Sequence, residues 1–206
     1  LAASIDPGER IAFVGANGSG KSTCALELAG LLEGADGHAV RAQGTVGLAF
    51  QDPDNQIVAP LVRDDVAFGL ENRGVPRDKM CVEVSKALAE LGIAELEDRD
   101  ATTLSGGQKQ RVAAAGLVAL SPSLVIFDET TAMLDETARK AVNDRIDHLC
   151  RRGVAVVQIT QLLDEVTRAD RVVVFEAGAI AYLGAAQDLV GQRDLLTRCG
   201  LEELCR

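Results

Sequence analysis

Gly15-Ala16-Asn17-Gly18-Ser19-Gly20-Lys21-Ser22, with Thr23 after it, fits the pattern GxxxxGK followed by Ser or Thr. The glycines let the backbone wind so that successive N–H groups face one point, which makes a cradle for phosphate oxygens. Lys21 is then expected to reach the β- and γ-phosphates and the Ser22 hydroxyl to ligate Mg²⁺. The whole run Gly15, Asn17, Gly18, Ser19, Gly20, Lys21, Ser22 and Thr23 is the candidate ATP phosphate site. Asp128 and Glu129 follow the apolar run Ser123–Phe127. Two carboxylates at such a place can hold the metal (Asp128) and orient and deprotonate an attacking water (Glu129). A third segment, "LSGGQKQR", runs from Leu104 to Arg111. Its serine hydroxyl, glycine N–H groups and following helix N-terminus form a second anion cradle. A plain helix cap explains Ser105 alone, and solvated acids explain a lone Asp–Glu pair. The three segments together point to a nucleotide.

Elements must hold these residues. Ile11, Phe13 and Val14 predict a short buried strand before the phosphate loop. Cys24, Ala25, Leu28 and Leu31 predict one inner face of the helix after it. "TVGLAF" predicts a strand ending at Gln51. Pro53, Pro60 and Pro76 punctuate the next stretch, where Met80, Val84, Leu88 and Leu91 mark a helix stopped by Gly92. This region, about 53–103, reads as a helical sub-domain inserted in the core. A helix follows Gly107 as far as Pro122, then the strand that delivers Asp128. Ala138, Val142, Ile146 and Leu149 predict the next helix, closed by Arg151, Arg152 and Gly153. "VAVVQIT" predicts another buried strand, and "RVVVF" with "AIAYLG" a closing hairpin. Strands alternating with helices predict an α/β fold with a parallel sheet, and residues 185–206 a C-terminal helical tail.

The 206 residues suffice for one domain, and a net charge of −10 argues against a nucleic-acid partner. No apolar run reaches the ~18 residues of a membrane span, and no signal peptide is visible, so a membrane link is expected to go through a partner. Cys24, Cys81, Cys150, Cys199 and Cys205 show no metal-pair spacing, and His38 and His148 stand alone. Free thiols in a reducing compartment are expected.

Together the segments resemble the ATPase subunits of ABC transporters, a family with a P-loop NTPase core, and the resemblance covers nearly the whole chain. It identifies Ser105, Gly106, Gly107 and Gln108 as the family signature. It implies that two ATPase subunits pack head to tail, each signature acting on the partner's ATP. It also implies that Gln51 is the glutamine that touches Mg²⁺ and senses a transmembrane partner. Met133-Leu134-Asp135 match the loop that speaks across the dimer. "FQDPDNQIVAPLVRDDVAFGLENRGVP" narrows the resemblance to the energy-coupling factor group, whose ATPases drive uptake of vitamins or of cobalt or nickel ions. An ordinary helical insert with a proline turn is the other reading of that stretch. The implied partners are a second ATPase subunit, identical or not, a transmembrane coupling subunit and a substrate-binding membrane subunit. The implied location is the cytoplasmic face of the membrane.

Three departures from the family pattern stand out. Gln161 occupies the place of the family's switch histidine. Glutamine can donate a hydrogen bond to a γ-phosphate but cannot carry a proton. Slower hydrolysis is expected, unless Gln serves productively. Residues 1–10 contain no aromatic to stack on adenine. This fits a sequence that begins part-way, the preferred reading, or weak base recognition. "LEGADGHAVRAQG" is shorter than the family's antiparallel β sub-domain, so that part is expected to be incomplete. Thr130 replaces a proline, with little expected effect. A degenerate nucleotide-binding partner and a soluble ABC ATPase outside transport remain alternative functions.

Overall fold

The computed structural model describes residues 4–33, 44–49, 56–132, 134–189 and 192–198. Gln51 and Met133 lie outside the described residues, as do most of the segment Leu32–Gly44 and residues 53–55.

Apolar runs without alternation become strands covered on both faces. β1 (Arg10–Val14) and β4 (Ala155–Ile159) have every residue buried, and β3 (Leu124–Asp128) all but the last. With β2 (Val46–Ala49), β5 (Arg171–Glu176) and β6 (Ala179–Ala185) they form one sheet in the order β2-β3-β4-β1-β5-β6. All pairings are parallel except β5 with β6, which form the expected closing hairpin.

Alternate residues of β1 serve opposite faces. Ile11 and Phe13 pack in the layer that holds Ala25 of α1 (Lys21–Leu28). Ala12 and Val14 pack with Val166 of α6, Leu189 of α7 and Leu196 of α8. Those three helices are Leu163–Arg168, Ala186–Leu189 and Arg193–Arg198. Phe13 also meets Phe175 of β5 at a ring-centroid distance of 5.0 Å. β1 is thus fixed on both faces and both edges, which locks the position of the loop that leaves its end.

The helical insert is α2 (Val62–Asn72), α3 (Arg77–Glu90) and short 3-10 turns at Ala94–Leu96 and Ala101–Thr103. α4 (Gly106–Ala119) joins it to the sheet: Val112 and Ala115 share a core with Val66, Leu70, Val84 and Leu88, and with Val125 and Phe127 of β3. Leu88 is fully buried, and burial of such a side chain contributes about 1.5–3 kcal/mol. Gly92 sits at φ 64° just past α3, which explains the stop. α5 (Glu136–Arg151) ends before Gly153 at φ 87°.

One expectation fails. α1 ends at Leu28, so Leu31 does not share its inner face and is 61% exposed. The helix stops there because Gly30 takes φ 72°, which breaks the α-helical path. Cys24, Cys81 and Cys150 are free thiols. Burial pushes Cys24 and Cys150 up to about 11, so neither is a ready nucleophile at neutral pH. Among the described residues no helix is long and apolar enough to cross a membrane.

Candidate active site

Three neighbouring strands, β3, β4 and β1, deliver their carboxyl ends to one edge of the sheet. That edge is where open α/β sheets bind ligands. Asp128 lies opposite Ile159 in the ladder, the Glu129 N–H donates to the Ile159 carbonyl at 3.1 Å, and the Thr160 N–H donates to the Phe13 carbonyl at 3.1 Å. The acidic pair, the Gln161 loop and the phosphate loop are therefore stitched side by side.

The phosphate loop has the shape that its glycines imply. Gly15 takes φ 147°, and a Cβ there would lie 2.4 Å from the Phe175 carbonyl oxygen and 2.7 Å from Ser19 Oγ. Gly18 and Gly20 take φ 76° and 107°, so the turn needs residues free of a Cβ. The β5–β6 turn braces this loop from behind: the Gly178 N–H donates to the Ser19 carbonyl at 3.0 Å. Sequence reasoning missed that brace, because nothing in "EAG" marks a contact with a loop so distant in the chain.

The loop fits a phosphate group. Gly20 caps α1 without any side-chain hydrogen bond, and the first turn carries no acid, so the positive helix end stays open. Ser19 is 4% exposed, and its Oγ has no partner among the described residues. Lys21 is buried and donates to the carbonyls of Gly15 at 2.9 Å and Ala16 at 3.0 Å. An ammonium has three donors, so one remains for a phosphate oxygen. Burial lowers its pKa, while the charges of Glu129 and Asp128 pull the other way without winning. A polyanion beside Lys21 would relieve that desolvation. The Ser22 hydroxyl is exposed, and Asp128 is half-buried at the end of β3. A hydroxyl and a carboxylate are hard oxygen ligands of the kind Mg²⁺ takes.

Glu129 follows at φ 51°, a left-handed conformation unusual for a residue with a side chain. Such strain costs of order 1–3 kcal/mol, and here the hydrogen bond to Ile159 holds it. The strain re-aims the chain immediately after the strand. Gln161 lies across from the phosphate loop, where its Nε2 donates to Asn17 Oδ1 at 3.2 Å. Thr130 is 5% exposed, and its hydroxyl has no partner among the described residues, so the residue in the proline position is buried.

Among the described residues no hydrogen bond joins the signature to this cluster. Ser105 is the N-cap of α4. Its Oγ accepts from the Gln108 N–H at 3.4 Å, and Gln108 Oε1 accepts from the Ser105 N–H at 2.9 Å, a reciprocal capping box. The Ser105 hydroxyl proton and the N–H groups of Gly106 and Gly107 remain as donors among the described residues. A Cβ on Gly106 would meet nothing within 4 Å, so nothing in the described chain demands glycine there. A Cβ on Gly107 would lie 3.5 Å from Leu134 Cδ2, which places the signature beside the segment before Asp135. Asp135 caps α5, its Oδ1 accepting from the Ala138 N–H at 2.8 Å.

The comparisons with known proteins agree with this geometry. A family model described as "ABC transporter" matches residues 1–132. The energy-coupling factor transporter ATP-binding protein EcfA1 of Halalkalibacterium halodurans is 41% identical, the match covering 95% of this chain and 75% of that protein. The chain belongs to the ABC transporter ATP-binding family, in its energy-coupling factor branch. Another ATPase of this branch, EcfA1 of Listeria monocytogenes serotype 4b, is 45% identical over 96% of this chain and 76% of its own length. The solved structure of cbiO1 from Clostridium perfringens, described as part of the ABC transporter complex cbiONQ, is 30% identical. It aligns with a TM-score of 0.82 over 98% of this chain and 86% of that one. As an ABC ATPase, the chain binds and hydrolyses ATP.

Proposed function

We propose that this chain is an ATPase subunit of an energy-coupling factor importer at the cytoplasmic face of a membrane. It would work with a second ATPase subunit, a transmembrane coupling subunit and a membrane subunit that binds the solute. The family resemblance points to a vitamin or a cobalt or nickel ion as cargo. Residues Gly15–Thr23 hold the phosphates of ATP. Ser22, Asp128 and Gln51 are the residues to hold Mg²⁺, which when bound neutralises charge between the β- and γ-phosphates. Glu129 takes a proton from the attacking water as its oxygen bonds to the γ-phosphorus, and the bond from that phosphorus to the bridging oxygen breaks. ADP and inorganic phosphate leave. Gln161 donates a hydrogen bond to the γ-phosphate. Ser105, Gly106, Gly107 and Gln108 close the ATP site of the partner subunit, and Asp135 lies at the dimer contact.

The observation that carries this reading is a second cradle whose donors are left open. The phosphate loop is tied to Glu129 and Gln161, while Ser105 and Gly106 keep unspent donors with no described neighbour to use them. Glu129→Gln in the assembled complex tests it. The variant should trap an ATP-bound dimer with turnover reduced at least about 100-fold, since loss of a general base costs 10²–10⁴-fold. Full turnover would refute the assignment.

Gln161 favours a second reading, in which this subunit binds ATP but hydrolyses it slowly and the partner ATPase does most of the work. Nucleotide occupancy at both composite sites with hydrolysis at one would select it.

A further inference from the structure

Beneath the catalytic loops lies a set of polar side chains that the reading above leaves unused. Arg10, Thr131, Asn143, Gln158 and Glu165 are each at most 3% exposed. They come from β1, the loop after β3, α5, β4 and α6. Thr131 Oγ1 donates to Glu165 Oε1 at 2.6 Å, and Asn143 Nδ2 donates to the same oxygen at 3.1 Å. Arg10 Nη2 donates to Asn143 Oδ1 and, at 2.5 Å, to Gln158 Oε1. Arg10 Nη1 reaches Asp147 Oδ1 at 2.6 Å, and Asp147 Oδ2 accepts from Arg168 at 3.0 Å. Glu165 and Arg168 both belong to α6. The bonds therefore close a circuit that clamps α6, and the loop before it, to α5 and β1.

The position of this circuit gives it a use. Thr131 lies in the loop between Glu129 and Asp135, while Glu165 lies just beyond Gln161. One carboxylate oxygen thus joins the segment with the water-activating acid to the segment with the γ-phosphate sensor. In a site without water such bonds are strong, and a stretched one leaves a buried group unpaired. The two loops resist moving separately. The circuit is also not saturated. Arg10 Nε, Gln158 Nε2 and Glu165 Oε2 are buried without partners among the described residues.

We propose that Glu165 is a positioning residue for ATP hydrolysis, coupling the Glu129–Asp135 loop to the Gln161 loop so that both meet the nucleotide as one unit. This rests on the roles given above to Glu129 and Gln161. Thr131→Val removes the linking hydroxyl at constant shape, and Thr131→Ser retains it. The test uses the chain purified with its partner subunits, measuring ATPase rate, ATP affinity and melting temperature. Thr131→Val should lower kcat roughly tenfold with KM and ATP affinity unchanged, as for a group displaced by a fraction of an ångström. Thr131→Ser should restore kcat. A Thr131→Val protein that loses melting temperature but keeps its kcat would reduce the circuit to a structural role and overturn the proposal, and so would a rise in KM alone. Should Thr131→Val not assemble, Thr131→Cys, with a weak donor, carries the same test. Glu129→Gln measured alongside separates the two failures. If it is inactive while Thr131→Val is normal, only the coupling falls; if it is active, the site reading falls and takes the coupling with it.

Discussion

Lys21 is already committed before a nucleotide arrives. Its two hydrogen bonds to the Gly15 and Ala16 carbonyls hold the ammonium over the loop, and burial makes its charge costly there. Gln161 is held in a similar way by Asn17. In the proposed roles each keeps a donor for a phosphate oxygen, the third N–H of Lys21 and the second Nε2–H of Gln161, and for Lys21 the new bond is favourable because both partners are charged. Gln161 would meet a charged acceptor but supplies no proton and no positive charge. Gln161→His should therefore raise the hydrolysis rate of the assembled complex several-fold, with ATP affinity little changed. An unchanged rate would show that glutamine serves this site productively. The chemistry at this scale was largely legible in the sequence, because phosphate loops are local in the chain. Gly15, Gly18, Gly20 and Lys21 lie within one turn and its helix. The polar circuit was not legible. Arg10 and Asn143 are 133 positions apart, Arg10 and Gln158 are 148 apart, and each reads singly as an ordinary polar residue beside apolar ones.

At the level of elements, α4 shows how one helix end can serve two purposes. Its capping box stabilises the helix within the chain, and in the function proposed above its leftover donors serve a ligand held by another molecule. Ser105→Ala separates these. Loss of the cap costs about 1 kcal/mol, or roughly 2–4 °C in melting temperature for a chain of this size. That cannot empty a folded state stabilised by about 5–15 kcal/mol. A fall in ATPase rate of about tenfold or more in the complex, with ATP still bound by the isolated chain, would therefore report the lost donor across the dimer. An equal fall in both would place the effect within the chain. Strands were legible as unbroken apolar runs, as in β1, β3 and β4, and helices where the hydrophobic period was clean, as in α3 and α5. The end of α1 was not. Leu31 continues the apolar period, but Gly30 at φ 72° ends the helix first.

For the whole molecule, the sheet's outer half is tied by an ion pair between Glu9 and Arg171, with the Asp6 N–H also donating to Glu9 at 2.8 Å. Burial alone would raise the Glu9 pKa. The hydrogen bonds from Arg171 and Asp6 outweigh it and hold the carboxyl below its ordinary value of 4.5. A depressed carboxylate stabilises the fold above the unfolded pKa, and that contribution is lost as pH falls through the folded pKa. Melting curves of wild type and Glu9→Gln should differ most at neutral pH and converge as the pH falls below 4.5 and through the lowered folded-state pKa. Parallel curves down to that pH would show that the pair does not set the acid limit. The parallel-sheet order follows from alternating elements, but the placing of β1 between β4 and β5 could not be read from local pattern, since its neighbours arrive some 145 and 160 residues later. That placement has a consequence during synthesis. The segment from Gly15 to Thr23 leaves the ribosome about 150 residues ahead of the Phe175 and Gly178 backbone that shapes it. A growing polypeptide cannot set this loop until the β5–β6 turn has followed it out, so shorter chains are expected not to hold ATP.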